Sequence, residues 1–283
     1  MDLNWDSFKY RNYDYAIGRF MSVDPLAEQY ADQTPYNYAM NNPIILVDPS
    51  GMAPTLDYYN IKGKKIGTDG VNDGRKAVVT NKSEVKKIKK TNRNGGVTAL
   101  NEVKSAIVLP SDKALRESLN VLDRTIENGG LQEESSLVMK DGKIIRGQPG
   151  PPVDYSSDER AKTNLPSEPN GSAPNDVEAT IHSHPTEPKL IDGYIYCGNA
   201  IEPSKKYDLK VFANYNINII VGRLGKTSAT IYTVKKNIGG GETKTKQHNK
   251  IITPKLGIAI YHRNNPKPIL ILNRKVVEKI LNN

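Results

Sequence analysis

The feature that most constrains this chain is the run from Val177 to His184. Val177, Ala179 and Ile181 alternate there with Glu178, Thr180, His182 and His184. A period of two predicts a β-strand with the two histidines on one face. Their Cα atoms would stand ~6.6 Å apart, so both imidazoles can reach one metal ion at ~2.0–2.1 Å. Pro185 has no amide to extend a ladder and marks the strand end. The same pair also suits a plain solvent-facing strand. Scarcity sharpens the metal reading: the chain has four histidines and one cysteine. Disulfides within the chain and thiolate-rich zinc sites are therefore excluded, and a third ligand would be a carboxylate. His248 and His262 lie in a basic tail without ligand neighbours and read as surface residues. Cys197 has no flanking histidine–carboxylate pair and reads as a buried or loop thiol.

The surrounding pattern predicts a mixed helix–strand chain. Tyr58 to Ile66 and Lys76 to Thr80 read as short strands, and Ser83 to Lys90 as a short helix. From Ser111, a plausible N-cap, Leu115, Leu119, Leu122 and Ile126 form one face of an amphipathic helix, closed by Asn128-Gly129-Gly130. A hairpin follows over 137–146 around Asp141-Gly142. Residues 147–176, with six of the eighteen prolines, read as a long loop. Beyond Pro185 we expect a helix over 205–215, strands at 217–223 and 228–234, and a flexible link at Gly239–Gly241. A strand at 269–272 and a helix over 275–281 close the chain. This order implies an α/β sandwich around a mixed sheet.

Charge is divided along the chain. Basic residues number 3 against 7 acidic in 1–54 and 12 against 5 in 55–110. In 111–225 they number 13 against 17, and in 226–283 they number 12 against 2, which yields the net +9. Overall basicity would suggest an anionic partner, yet the segment holding the paired histidines is acidic. Lys86 to Lys90 could touch phosphates but reads as a solvated face, since no aromatic residues alternate with the lysines to stack bases. Nucleic acid is thus not the expected partner. No apolar run exceeds four residues, far short of the ~18 of a membrane span, and no signal-peptide pattern opens the chain. A soluble protein is expected.

Two resemblances extend this reading. Ile17-Gly18-Arg19-Phe20-Met21-Ser22-Val23-Asp24-Pro25-Leu26 and Pro35-Tyr36-Asn37-Tyr38-Ala39-Met40-Asn41-Asn42-Pro43 lead into Asp48-Pro49-Ser50-Gly51-Met52. These blocks resemble the RHS repeat-associated core. The resemblance implies a β-rich core tip over 1–54, a basic connector over 55–110 and an effector domain over 111–283. It also implies release after Met52, with Asp24 and Asp48 at the family's aspartate positions and most of the RHS shell supplied by a longer parent protein.

The second set is Glu133-Glu134-Ser135-Ser136-Leu137-Val138, His182-Ser183-His184-Pro185 and Pro203-Ser204-x-x-x-Asp208-Leu209. It resembles the JAB/JAMM metallopeptidases, and more narrowly the JAB-like toxin domains that follow RHS cores. That implies a JAB-like mixed sheet flanked by helices, with His182, His184 and Asp208 binding zinc. Glu133 would be the general base and acid, and Ser204 the oxyanion donor, in hydrolysis of a peptide or isopeptide bond. Partners would be a protein or peptide substrate and a cognate immunity protein, with delivery to a target cell as part of an RHS protein. The alternatives are an inactive JAB-like binding module or a nucleic-acid-targeting toxin.

The match has visible departures. Three residues, not two, separate Ser204 from Asp208, which on a helix turns the pair by about 100°. Eighteen residues lie between Pro185 and Ser204, where the family often has about seven. Glu134 competes with Glu133; neighbours on a strand face opposite ways, so one of the two serves, and the family spacing selects Glu133.

Overall fold

The computed structural model describes residues 5–8, 11–24, 27, 34–38, 56–69, 75–154, 165–191, 194–205, 207–238 and 242–283. Asp48 and Met52, with the expected release point, lie outside them, as do Gly239–Gly241. The chain divides into two compact units, Met1–Ser111 with Asn282–Asn283, and Asp112–Leu281.

In the first unit, β1 (Trp5–Ser7), β2 (Asn12–Asp14) and β3 (Arg19–Phe20) form a small antiparallel meander. Arg11 lies over the Phe20 ring at 3.8 Å and pairs with Asp24 at 2.7 Å, both charges buried. A second sheet has the order β5 (Lys65–Thr68), β4 (Asp57–Asn60), β6 (Lys76–Val79), β7 (Ala106–Val108), with β4 and β6 parallel. Helix α1 (Lys82–Arg93) begins at Asn81, whose side chain accepts the amides of Ser83 and Glu84. It buries Ile88 against Leu56, Tyr58, Ile66, Ala77, Val79 and Val103 and leaves Lys86, Lys87 and Lys90 exposed.

The second unit is a mixed α/β structure. Its elements are α2 (Asp112–Glu127), β8 (Ser135–Met139), β9 (Ile144–Arg146), β10 (Val177–Ser183), β11 (Lys189–Ile191), β12 (Tyr194–Tyr196), α3 (Asp208–Phe212), β13 (Ile217–Arg223), β14 (Ser228–Ile238), β15 (Glu242–Ile252), β16 (Leu256–His262), β17 (Leu270–Asn273) and α4 (Arg274–Leu281). A six-stranded sheet runs β17-β16-β13-β10-β8-β9. Only the β10–β13 pair in it is parallel; the others are antiparallel. Helix α2 packs on β8, β10 and β13, and α4 packs on α2, β16 and β17.

The strand carrying the histidines is therefore interior, not solvent-facing. Every residue of β10 but Glu178 is buried, because it has partners on both edges and α2 across one face. Several expectations need correction. Leu115, Leu119 and Leu122 are buried as expected, but Ile126 is 42% exposed. The buried stripe instead passes through Ala114, Ser118, Val121 and Thr125. Helix α3 spans five residues, not 205–215, because the chain turns at Ala213–Asn214 to enter β13 parallel to β10. The strand expected at 228–234 extends to Ile238 and pairs along its whole length with β15, which was not expected. Strand β16 was likewise missed. Ile258, Ala259, Ile260 and Tyr261 are all buried, and a continuous apolar run shows no period of two. The loop after Pro185 contains the β11–β12 hairpin.

Candidate metal centre

The site is assembled where the parallel strands end. His182 sits in register between Ser135 of β8 and Ile220 of β13. His184 keeps the ladder going one residue past β10, donating its amide to Val221 O at 2.9 Å. The crossover from β10 to β13 returns through α3, whose first residue is Asp208. Its Oδ1 lies 3.3 Å from His182 Nε2 and its Oδ2 3.3 Å from His184 Nε2. One donor atom from each residue falls within 4.8 Å of the others, so the three side chains could hold one metal ion.

Each donor is aimed by a neighbour. His184 Nδ1 is 3.0 Å from the Asn199 carbonyl, which directs Nε2 at Asp208. That carbonyl is pinned through Gly198, whose amide donates to Pro185 O at 3.0 Å. A Cβ on Gly198 would come 2.5 Å from Pro185 O and 2.9 Å from His184 Cβ, so only glycine fits. Asp208 Oδ2 accepts the Ser204 amide. Ser204 Oγ in turn accepts the amides of Tyr207 and Asp208, at 3.3 and 3.1 Å. The extra residue between Ser204 and Asp208 thus makes the serine a cap on the turn entering α3, with its hydroxyl proton still available to donate. Phe212, Ile220, Ala259 and Tyr261 pack beneath, and Tyr261 donates to Ala200 O at 2.7 Å, holding the loop.

Electrostatically the cluster is a cation cradle. Burial pulls the His184 pKa down, but the Asp208 hydrogen bond, the charges of Glu133 and Asp208 and the Asn199 carbonyl outweigh it, raising the value to about 9. Burial acts on Asp208 in the opposite sense, yet the two histidines hold its carboxyl well below the usual carboxylate range. His182 Nε2 is fully buried and has no hydrogen-bond partner, despite lying 3.3 Å from the carboxylate. A buried nitrogen without a partner costs free energy unless a ligand satisfies it. Two imidazoles and a carboxylate are a donor set that suits zinc and its neighbours, so the residues fit a bound metal.

The paired glutamates separate. Glu134 accepts from Arg124 Nε at 3.4 Å and Asn128 Nδ2 at 3.0 Å, and so is engaged by α2. Glu133 is 7% exposed, and its negative charge acts on His184. His262 is exposed at the end of β16, and only the backbone of His248 is placed, opposite Tyr232. The half-buried Cys197 Sγ lies near the carbonyls of Pro185 and Thr186, at 3.9 and 3.8 Å. Sequence reasoning missed Gly198 and Asn199. No residue pattern marks a backbone carbonyl as the partner of a ligand, although a glycine between Cys197 and Asn199 was visible.

No family model matches the sequence, and no solved structure matches it. The chain is similar over 57 residues, at 44% identity, to salivary gland surface protein 1 of Aedes aegypti. The match covers 20% of this chain and 2% of the mosquito protein.

Proposed function

We propose that residues 111–283 are a JAB/JAMM-like zinc hydrolase of peptide or isopeptide bonds, serving as the C-terminal effector of an RHS-type toxin. The observation that carries this is the convergence of His182, His184 and Asp208, with a buried His182 Nε2 that makes no hydrogen bond. The RHS-like blocks in 17–52 support the toxin context, with release after Met52, delivery by a longer parent and a cognate immunity protein as partner.

His182 and His184 would hold zinc through Nε2 and Asp208 through its carboxylate. Zinc bound by three protein ligands lowers the pKa of a water to ~7, which supplies a nucleophile at neutral pH. Glu133 would serve as general base and then general acid, taking a proton from the attacking water and giving it to the leaving amine. Ser204, whose hydroxyl proton is uncommitted, would donate a hydrogen bond to the developing oxyanion. Asn199 keeps His184 in the tautomer that leaves Nε2 free.

The test pairs metal content with cleavage. Wild-type protein should carry about one zinc per chain by elemental analysis, and His184→Ala none. On a peptide and isopeptide library, Glu133→Gln should keep the zinc and lose ~10²–10⁴-fold in rate. One observation favours a second reading, an inactive binding module: Ser204 is committed to two backbone amides. Zinc-loaded wild type that cleaves no better than Glu133→Gln would establish that reading.

A further inference from the structure

A hairpin grows out of the metal centre between one ligand and the residue that orients it. Strands β11 and β12 lie between His184 and Asn199 and form a two-stranded sheet among the described residues. The base of this hairpin is pinned on both sides. The Gly198 amide donates to Pro185 O at 3.0 Å, and the Thr186 and Glu187 amides donate to Gly130 O at 2.8 and 3.1 Å. Arg223 Nε donates to Thr186 O at 3.0 Å. The hairpin is therefore rooted at a fixed place beside His184.

Exposed aromatic groups gather on it. Lys189 pairs with Tyr196 and Leu190 with Ile195. Tyr194 and Tyr196 stand two apart and share one face with Lys189, while Leu190 and the half-buried Ile195 share the other. Tyr194 is 70% exposed and Tyr196 40%. A third tyrosine, Tyr207, is 43% exposed and immediately precedes the ligand Asp208. Tyr196 lies three residues before Asn199 and Tyr194 five before it, so chain length alone keeps them within ~11 and ~18 Å of that residue. Tyrosine offers a large, rigid contact surface at low entropic cost, with a hydroxyl that can stay in water. Tyrosines two apart on a strand repeat at ~6.8 Å, which is also the side-chain repeat on one face of an extended peptide.

We propose that the tyrosine face of the β11–β12 hairpin grips the substrate strand entering the metal centre, accepting a bulky apolar side chain near the scissile bond. This rests on the reading of residues 111–283 as a peptide hydrolase. At ~3.4 Å per residue, a strand leaving the metal centre covers the distance to the tyrosines in about three to five residues. The recognised side chain is uncharged, because tyrosine is the repeated group on that face and Lys189 the one charge described there. The long segment between Pro185 and Ser204 thus serves to select a substrate, and the hairpin is its working part.

The test reads binding apart from turnover. The zinc-loaded full chain carrying Glu133→Gln is added to fluorescein-labelled Gly-Ser peptides with one central guest residue, Phe, Leu, Glu or Lys, and binding is followed by anisotropy. The Phe and Leu peptides should bind roughly 10–100-fold more tightly than the Glu and Lys peptides. Adding Tyr194→Ser should weaken the Phe peptide about 10-fold. Adding Tyr194→Phe should keep the preference, and Leu190→Ser on the other face should leave it unchanged. With Glu133 intact, Tyr194→Ser should raise KM for the Phe peptide about 10-fold at unchanged kcat and zinc content, as for a contact made equally before and during reaction. Equal binding of all four guests, or a preference that survives Tyr194→Ser, overturns the proposal. So does a concentration-dependent dimer that Tyr194→Ser dissolves, because a second copy would then cover the face. A preference that Tyr194→Ser removes, in a protein whose wild type cleaves no peptide, overturns the hydrolase reading alone and supports the hairpin as a peptide-binding face.

Discussion

The two faces of the β8–β10 pair are both polar and both buried, yet they are built on opposite principles. On the helix side, Glu117 Oε1 accepts from Ser136 Oγ at 2.7 Å and Arg124 Nη1 at 3.1 Å, and Oε2 from Asn120 at 2.9 Å. Glu134 accepts from Arg124 and Asn128, and Ser183 Oγ is 2.6 Å from Thr125 Oγ1 while accepting the Glu134 amide at 2.8 Å. Every carboxylate oxygen there has a donor. Accordingly the Glu117 pKa is lowered: burial raises it, but hydrogen bonds from Asn120 and Ser136 and the Arg124 charge overcome that. On the other side, three groups able to bind a metal converge and His182 Nε2 makes no hydrogen bond. A closed network fixes strands; an open one of the same polarity is prepared for a ligand. Ser183 belongs to the first and its neighbours His182 and His184 to the second, so one strand serves both.

The contrast breaks most visibly at Arg124. Arg124→Ala would leave Glu117, whose side chain is fully buried, and Glu134 without their shared cation. Arg146 is the other cation near Glu117, at 4.0 Å, and its own side chain is 64% exposed. Removing one partner from a buried pair costs about 3–5 kcal/mol, measurable by urea denaturation. Zinc stoichiometry of the folded fraction should be unchanged. A loss under about 1 kcal/mol, or a loss of zinc at full stability, would show that the two faces are not divided in this way.

How much of this was legible depended on whether the signal was local. The alternation through His184 placed both histidines on one face, because strand geometry is set residue by residue. Asp208 was reached only through its resemblance to a known motif, since it arrives from a five-residue helix across a crossover. Glu117 lies four residues before Val121, on the buried stripe of α2. Its role was invisible: Asn120 and Arg124 follow it on the same helix, but its packing against Ser136 of β8 in the interior is a tertiary contact that no local pattern marks. The same holds for Asn199, which acts through its backbone.

A smaller effect isolates the open face. Gly198→Ala puts a methyl against Pro185 O and His184 Cβ and must displace the Asn199 carbonyl from His184 Nδ1. Loss of a partner that orients a ligating histidine typically weakens metal binding ~10–100-fold. Competition with a chromophoric zinc chelator reads this directly. Unaltered affinity would mean that Asp208 alone orients His184. Gly129→Ala, where φ is +89° and an added Cβ meets nothing within 4 Å, controls for backbone strain without a steric clash.

The last effect is a pH dependence that zinc should erase. In metal-free protein the Asp208 hydrogen bond and the nearby carboxylate charges outweigh burial and push the His184 pKa up from an ordinary 6.5 to about 9. Between those values the folded state holds a proton that the unfolded state has released. Stability from this group is therefore fully present below about pH 6.5 and is lost as pH rises through about 9. The slope is at most about 1.4 kcal/mol per pH unit. Asp208 works in reverse: its pKa is depressed, so its contribution is lost only in strong acid and does not confound this window. The melting temperature of metal-free protein should thus decline from pH 6.5 to 9. Zinc-loaded protein, with His184 already deprotonated by its ligand, should show no such decline. A metal-free profile that is flat over this range would mean His184 is not proton-bound, and the contrast between a closed face and a proton-holding, metal-ready face would lose its electrostatic half.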